Sequence, residues 1–321
     1  MKDNFWKALK RPILALAPMA NVTDAAFRQV IAKYGKPDVM FTEFTSCDGL
    51  CSPGREKLLV DLKFTDSERP IVAQFFGSKP ANFFRCAQLA RELGFDGIDI
   101  NMGCPDRAVE KQGAGAALIQ NPALAKEIIK ATQEGSGSLP VSIKTRLGYN
   151  KNIIEEWLPV LLGADLAAIT IHARTRKEMS AVPAHWDSVK RAVEIRNEMN
   201  SPTLILGNGD VKDCVEALLR IEETGCDGVM IGRGIFGSPW LFSSARDYRK
   251  VKLAEKLSVM LEHTLLFEKL FQGLKSFDVM KKHYKAYVVG FEGARELRAQ
   301  LMTARNAANV ESVLSLAQGR A

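Results

Sequence analysis

Short apolar runs alternate with amphipathic segments along most of the chain. Eight runs of β-branched and other apolar residues are bounded by Gly, Pro or polar residues, which is typical of buried strands. The predicted strands are Ile13–Leu16, Val39–Phe44, Ile71–Phe75, Gly97–Ile100, Val141–Thr145, Ala168–Ile171, Thr203–Leu206 and Gly228–Ile231. Between most of them apolar positions recur at helical spacing, which predicts helices at Asp24–Tyr34, Ala81–Leu93, Ala123–Thr132, Asn152–Leu162, Asp187–Met199 and Val211–Thr224.

This alternation predicts an α/β fold in which parallel strands close into a (β/α)8 TIM barrel. The 321 residues exceed the roughly 250 residues of such a barrel, so we expect an appendage as well. A doubly wound sheet is the structural alternative, because residues 113–117 superficially suggest a dinucleotide-binding loop. That segment does not lie in the turn after the first strand, where phosphate binding requires it, so we interpret it as a loop and helix start.

Candidate functional side chains follow almost every predicted strand. In chain order they are Pro18 and Met19, Glu43, Gln74, Asn101 and Cys104, Lys144 and Arg146, His172, Asn208, and Arg233. Active sites of α/β barrels are assembled from the carboxyl ends of different strands, so these side chains are expected to meet at one mouth. Any one of them could simply cap a strand end, but their coincidence at the predicted strand ends favours a shared site.

A cysteine follows the fourth predicted strand, in the run Asn101-Met102-Gly103-Cys104-Pro105. Gly permits close approach of the backbone and Pro ends sheet pairing, so we expect the Cys104 thiol at the barrel mouth. The alternative is that Cys104 is a small buried apolar side chain. The six cysteines contain no CxxC pair, so we predict reduced thiols and no metal site, although Cys47 and Cys51 would share one helical face.

The last two predicted strands are followed by glycine-rich segments, Gly207-Asn208-Gly209-Asp210 and residues 232–237. Glycines at these two positions expose backbone N–H groups and form the usual phosphate site of such barrels. We therefore expect a phosphorylated ligand whose other end points toward Gln74, Lys144 and His172. Spacing alone leaves open whether that ligand is a cofactor or a substrate.

The net charge of +7 is concentrated near the end of the chain. Residues 243–321 contain 14 Lys and Arg against 8 Asp and Glu. Such asymmetry indicates a polyanionic partner, and a merely solvated basic surface is the alternative. No apolar stretch approaches the roughly 20 residues of a membrane span, and the first residues lack a signal-peptide core. We expect a cytoplasmic protein without membrane association.

Several motifs occur in a fixed order between about Ile13 and Phe242. They are Ala17-Pro18-Met19, Val22-Thr23-Asp24, Phe27-Arg28, Asn101–Pro105, Lys111 with Gly113–Ala116, His172-Ala173-Arg174-Thr175-Arg176, Gly207–Asp210, and Gly232-Arg233-Gly234 with Pro239-Trp240. In this order they resemble the tRNA-dihydrouridine synthase family, flavoenzymes that reduce specific uridines in tRNA. Two departures stand out: Asn21 replaces a usual Gly, and Ser180–Trp186 lacks the usual Tyr and Gly before its Trp.

The resemblance implies FMN as cofactor, NADPH as reductant and Cys104 as the catalytic proton donor. The cofactor-binding residues that it implies are Pro18, Met19 and Ala20 behind the flavin ring, Gln74, Lys144 and His172 at its edge, and Asn208, Gly209, Asp210, Gly232 and Arg233 at its phosphate. The family joins its barrel to a helical tRNA-binding domain. We therefore predict a catalytic barrel over residues 1–245 and a smaller C-terminal all-helical domain over residues 246–321.

The partner implied by the resemblance is tRNA, bound by a monomeric enzyme. The residues expected to contact it are Asn101, Arg146, Arg174, Lys281, Lys282 and His283. Of these, His283 could instead serve only packing. The target uridine must leave its base stack before its ring carbons become accessible.

Saturating the 5,6 double bond of uracil requires a hydride at C6 and a proton at C5, and reduced FMN would supply the hydride. A thiol with an ordinary pKa of about 8.5 is mostly protonated at neutral pH, so Cys104 suits the second role. Lys144 and Arg146 would lower that pKa if they lie close.

Three other functions stay open from the sequence. An FMN-dependent barrel could act on a small molecule such as a dihydropyrimidine or an enone. Lys144 could be the Schiff-base lysine of an aldolase-like barrel. The chain could also be an RNA-binding protein whose barrel has lost its chemistry.

Overall fold

A computed structural model describes residues 4–318. In this part of the chain the strands are β1 (Ile13–Leu16), β2 (Met40–Phe41), β3 (Thr45–Ser46), β4 (Ile71–Phe76), β5 (Gly97–Met102), β6 (Val141–Arg146), β7 (Ala168–His172), β8 (Leu204–Asn208) and β9 (Gly228–Ile231). They form one parallel sheet in the order β1-β9-β8-β7-β6-β5-β4-β2, with β3 also beside β4. A bridge from Ala15 in β1 to Val39 brings the two edges together. The predicted barrel is confirmed.

The second predicted strand, Val39–Phe44, is broken into two in the structure, whereas the ends of the other strands differ from the prediction by at most two residues. The chain forms β2 and then β3, and both pair with β4, so together they occupy one of the eight barrel positions. Between them the Gln74 N–H donates to the Thr42 side-chain oxygen at 3.1 Å, a contact that is not part of the backbone ladder. The regular ladder is interrupted at this point, directly before Glu43.

Helices cover the outside of the barrel. They are α1 (Phe5–Ala8), α2 (Ala25–Tyr34), α3 (Cys47–Leu50), α4 (Arg55–Leu58), α5 (Pro80–Glu92), α6 (Arg107–Glu110), α7 (Pro122–Ser136), α8 (Ile154–Leu162), α9 (Trp186–Glu198) and α10 (Cys214–Thr224). Local chemistry sets several starts: the Asp24 carboxylate accepts the Phe27 N–H at 3.0 Å, and proline occupies the first position of α5 and α7. Within residues 4–318, none of the helices combines the length and the apolar character that crossing a membrane requires.

The strand register places the predicted site residues side by side. Asn101 lies opposite Lys144, Arg146 opposite His172, and His172 opposite Asn208. Neighbouring strands are about 4.8 Å apart, so residues paired in register on adjacent strands lie close together. The polar strand ends therefore form a continuous band at the carboxyl end of the barrel.

The chain ends in α11 (Leu253–Phe271), α12 (Val279–Tyr287), α13 (Ala294–Leu301) and α14 (Ala307–Gln318). These helices enclose a second apolar core, which also includes Ala25 and Ala26 of α2. The expected C-terminal all-helical region is confirmed, and its boundary at residues 245/246 stays a prediction. We call the contact between residues 253–318 and the barrel the domain seam.

Candidate functional site

A cavity of about 320 Å³ opens at the carboxyl ends of the strands. We call it the mouth cavity. Its lining residues are Ala17, Pro18, Met19, Pro105, Lys144, Arg146, His172, Met179, Ser180, Asn208, Gly209, Asp210, Val211, Met230, Gly232 and Arg233. Ten of these were predicted as site residues from the sequence. Met179 and Ser180 belong to the loop after β7, so the segment that departs from the family pattern begins at the cavity wall.

Lys144 supplies a buried cation to the mouth cavity. Its Nζ donates to Asn208 Oδ1 at 3.0 Å, and the Asn208 amide nitrogen donates in turn to the Met230 carbonyl at 2.7 Å. Burial and the nearby Arg146 lower the pKa of Lys144 to about 8. Its bonded partner is a neutral amide, so much of its charge is available to an anionic ligand.

His172 reaches the same cavity from β7. Burial, together with Lys144 and Arg146, holds the pKa of His172 well below its usual value, so the imidazole is neutral at physiological pH. Its Nε2 lies 3.3 Å from an Arg174 nitrogen. Arg174 is itself 2% exposed, donates to the Val182 carbonyl at 2.6 Å and pairs with Asp210. In this structure Arg174 therefore orients the cavity wall and presents little surface to RNA.

The loop that carries Cys104 is fixed by side chains from two strands. Asn101 Oδ1 accepts the N–H groups of Gly103 and Cys104, at 3.1 and 2.9 Å. Arg146 Nε donates to the Gly103 carbonyl at 2.7 Å. Asn101 is 5% exposed and does not line the mouth cavity, so its visible contacts position the cysteine. Arg146 both supports this loop and lines the cavity.

The Cys104 thiol is partly buried beside two cations. Burial raises its pKa above the ordinary value, and this effect outweighs the opposing influence of Arg146 and Lys144. The thiol form therefore predominates at neutral pH. Such a group suits proton donation better than nucleophilic attack, which requires the thiolate.

Gln74 is held by two other buried polar residues. Its amide nitrogen donates to Asp99 at 2.7 Å, and its oxygen accepts from Asn101 at 3.1 Å. Asp99 also accepts from Ser142 at 2.6 Å. Gln74 is fully buried and is not part of the cavity lining, so a contact with the flavin edge stays a prediction. Asp99 was missed in the sequence because it lies inside the apolar run that predicts β5.

The loop after β1 forms the wall made by Pro18 and Met19. The Met19 N–H donates to the Thr23 hydroxyl at 2.8 Å, and the Met19 carbonyl accepts the Thr23 N–H at 3.0 Å. Asn21 has a φ of +53°, in the left-handed region that Gly occupies freely and that Asn tolerates better than most residues. The replacement of the usual Gly by Asn is therefore compatible with this turn. Ala20, the third predicted residue here, is exposed.

The predicted RNA contacts of the helical domain separate into two groups. Lys281 and Lys282 are accessible, and Lys281 pairs with Asp278 at 2.5 Å. His283 is fully buried, with its ring centroid 4.6 Å from that of Phe27. The apolar surroundings thus make His283 a packing residue in this structure, and the expectation that it touches RNA is not supported.

A buried ion cluster at the domain seam escaped sequence reasoning. Lys275 lies in the turn between α11 and α12, and its Nζ is 2.5 Å from Glu43 and 2.7 Å from Asp61. In the sequence, Glu43 is only one polar strand end among several. Nothing in the local sequence around Lys275 indicates a partner 232 residues away.

The mouth cavity fits a phosphorylated ring system with negative charge. A Cβ added at Gly232 would lie 3.6 Å from Ala17 and 3.7 Å from Met19, so a side chain there would occupy the cavity. At the rim of the cavity, Arg233 pairs with Asp210 at 3.1 Å. The Arg233 side chain is nevertheless 68% exposed, so most of the guanidinium is accessible to a ligand. A buried cation at one end and a guanidinium at the other are suited to an anion such as FMN.

Solved structures of other proteins share this architecture. A 2-naphthoyl-CoA reductase complex superposes with a TM-score of 0.53 at 11% identity, covering 71% of this chain and 49% of that one. Histamine dehydrogenase from Rhizobium sp. 4-9 gives a TM-score of 0.52 at 14% identity, covering 80% of this chain and 48% of that one. At these identities the likeness establishes the fold alone.

Sequence relatives are much closer. A probable tRNA-dihydrouridine synthase of Staphylococcus aureus (strain MRSA252) is 43% identical over 317 residues, covering 98% of this chain and 95% of the relative. Probable tRNA-dihydrouridine synthase 2 of Bacillus subtilis (strain 168) is 42% identical, covering 98% and 96%. The sequence profile described as Dihydrouridine synthase (Dus) matches residues 15–319. The chain belongs to the dihydrouridine synthase family.

Proposed function

We propose that this protein reduces specific uridines of tRNA to dihydrouridine, with FMN bound in the mouth cavity and NADPH as reductant. The observation that carries the proposal is a buried cation in the cavity lining with a protonated thiol close to it: Lys144 lines the cavity and interacts electrostatically with Cys104, which directly precedes the lining residue Pro105. Family membership and the similarity to the named relatives support the same reaction.

Each residue group has a separate task in this proposal. Pro18 and Met19 form an apolar wall for the flavin ring, while Asn208–Asp210, Gly232 and Arg233 hold its phosphate. Bound FMN, once reduced, would supply the hydride for uracil C6. Lys144 stabilises negative charge at the cavity, because a cation in a dry site acts with little screening.

Cys104 completes the reaction by donating its Sγ proton to uracil C5. The raised pKa keeps this proton in place until negative charge develops on the base. Arg146 and Asn101 hold the loop that aims the thiol. Lys281 and Lys282 attract the tRNA backbone outside the cavity.

The proposal is tested with purified protein, FMN, NADPH and tRNA that lacks dihydrouridine, with the product measured by nucleoside mass spectrometry. Cys104→Ala should lower the rate of dihydrouridine formation at least about a hundredfold while leaving FMN and tRNA affinities nearly unchanged. Cys51→Ala is the matched control, because Cys51 is a partly exposed thiol outside the cavity.

Two outcomes would contradict the proposal. A wild-type protein that binds no FMN would remove the cofactor, and full activity of Cys104→Ala would remove the proton donor. Reduction of free uridine as fast as tRNA would instead favour a small-molecule enzyme.

A further inference from the structure

We propose that Lys275 is a positioning residue through which the helical domain fixes the loop of residues 17–24 at the mouth cavity. The link runs through a single carboxylate, that of Glu43. One Glu43 oxygen is 2.5 Å from Lys275 Nζ, and the other accepts the backbone N–H of Asn21. The consequence for cofactor binding rests on the proposed function, whereas the link itself does not.

The contact between Lys275 and Glu43 is largely protected from solvent. The side chains of Lys275 and Glu43 are 11% and 6% exposed, so their contact is screened little by water. Lys275 also lies over the ring of Phe271, with its Nζ 5.1 Å from the ring centroid. Phe271 is fully buried in the core of the helical domain, so the cation is anchored to that domain.

Glu43 depends on this cation because two further carboxylates, those of Asp61 and Asp24, lie near it. Asp61 shares Lys275 with it, and Asp24 is fully buried nearby. Burial and the negative charge of Glu43 raise the pKa of Asp24 to about 7, as expected for two carboxylates that are close together. Without Lys275, Glu43 would face these carboxylates unpaired, and reorientation of the Glu43 side chain would relieve the cost.

The Asn21 N–H is a sensitive point of the loop. Asn21 adopts a left-handed backbone conformation, which costs energy for a residue other than Gly and needs support from its surroundings. The Val22 and Thr23 N–H groups both donate to the Met19 carbonyl, at 3.1 and 3.0 Å. A change at Asn21 is therefore transmitted to Met19, which lines the mouth cavity.

The test is amide hydrogen exchange of the full-length apo-protein, read in peptides that cover residues 17–24. Lys275→Met should speed exchange at the Asn21 amide about tenfold, as loss of a charged hydrogen bond predicts. Asp61→Asn is the matched control, because it removes the negative charge from the other contact of the same lysine and leaves Glu43 paired. Lys275→Arg keeps the positive charge, so the Asn21 amide should exchange at the wild-type rate in this variant. Lys275→Arg is measured in place of Lys275→Met if Lys275→Met does not fold.

Two exchange results would overturn the inference. One is wild-type exchange at residues 17–24 in Lys275→Met. The other is an equal increase in Asp61→Asn, which would mean that the cluster only attaches the helical domain. FMN titration adds a second readout, with an about tenfold higher Kd in Lys275→Met and no change in Asp61→Asn. If the wild type binds no FMN, the proposed function fails, while the exchange result still decides the link.

Discussion

The mouth cavity and the domain seam each bury a lysine, and the pKa values of the two lysines are shifted in opposite directions. Lys144 in the mouth is bonded to the neutral Asn208, and burial lowers its pKa to about 8. Lys275 in the seam is also affected by burial, but Glu43 and Asp61 prevail and raise its pKa. The charge of Lys144 is thus incompletely compensated by its protein neighbours, whereas the charge of Lys275 is paired with two carboxylates.

This difference separates groups that bind ligands from groups that hold the protein together. An incompletely paired buried charge costs folding energy, and it is expected where a ligand will complete the pairing. A paired buried charge favours one arrangement of the elements around it, and removal of one partner leaves the other uncompensated. Activity and stability should therefore respond differently to the two lysines.

The largest expected effect is on activity at the mouth. Lys144→Met removes the cation that the proposed reaction places at the cofactor, so the rate of dihydrouridine formation should fall about a hundredfold or more. Lys126→Met, an exposed lysine of α7, is the matched control and should retain wild-type activity. Steady-state rates with tRNA and NADPH measure both. A Lys144→Met enzyme within threefold of wild type would show that this charge is not used in the reaction.

The second prediction concerns the sign of the stability change in the apo-protein. A buried lysine whose pKa is lowered to about 8 costs about 3 kcal/mol at neutral pH, and its hydrogen bond to Asn208 returns about 1 kcal/mol. Lys144→Met should thus stabilise the fold by about 2 kcal/mol. Lys275→Met should destabilise it by about 3 kcal/mol, because Glu43 and Asp61 lose their cation. Urea unfolding measures both, and changes of the same sign would refute the contrast.

The third prediction concerns two histidines in the seam. Burial and the nearby His283 hold the pKa of His263 well below its usual value, and burial with Lys282 lowers that of His283 to about 3. Below about pH 6.5 these histidines take up protons in the unfolded chain but not in the folded one. The contribution of the buried neutral histidines to the free energy of unfolding is therefore present above about pH 6.5 and is lost as the pH falls. His283→Phe should reduce the loss of unfolding free energy between pH 7 and pH 5 by about 2 kcal/mol. An unchanged pH profile would mean that His283 is not the buried neutral group described.

Most of the fold could be predicted, because strand and helix periodicity follow from local sequence. The exception is the second strand, whose break depends on a hydrogen bond between Thr42 and the neighbouring strand at Gln74. Such a contact exists only once β4 is in place. Propensity alone therefore favoured one continuous strand from Val39 to Phe44.

The candidate site could be predicted only in part, for a related reason. Lys144, His172 and Asn208 stand at strand ends, and the parallel barrel brings strand ends together. Lys275 lies in an irregular turn of the C-terminal helical region, so its contact with Glu43 depends on how that region packs against the barrel. For His283 the sequence suggested an RNA contact because two lysines precede it, but in the structure the side chain is buried among apolar residues.

The smallest expected effect lies on the outer face of the C-terminal helical region, where Lys282 is exposed to solvent. Lys282 is exposed on α12, so its contribution to tRNA binding would be screened by salt. Lys282→Met should weaken tRNA binding about threefold at low salt, reduce its salt dependence, and leave FMN affinity and folding stability unchanged. Filter binding over a range of salt concentrations measures this, with Lys126→Met again as control. If both variants bind tRNA equally, Lys282 lies outside the tRNA-binding surface, and the basic charge of residues 243–321 must act elsewhere.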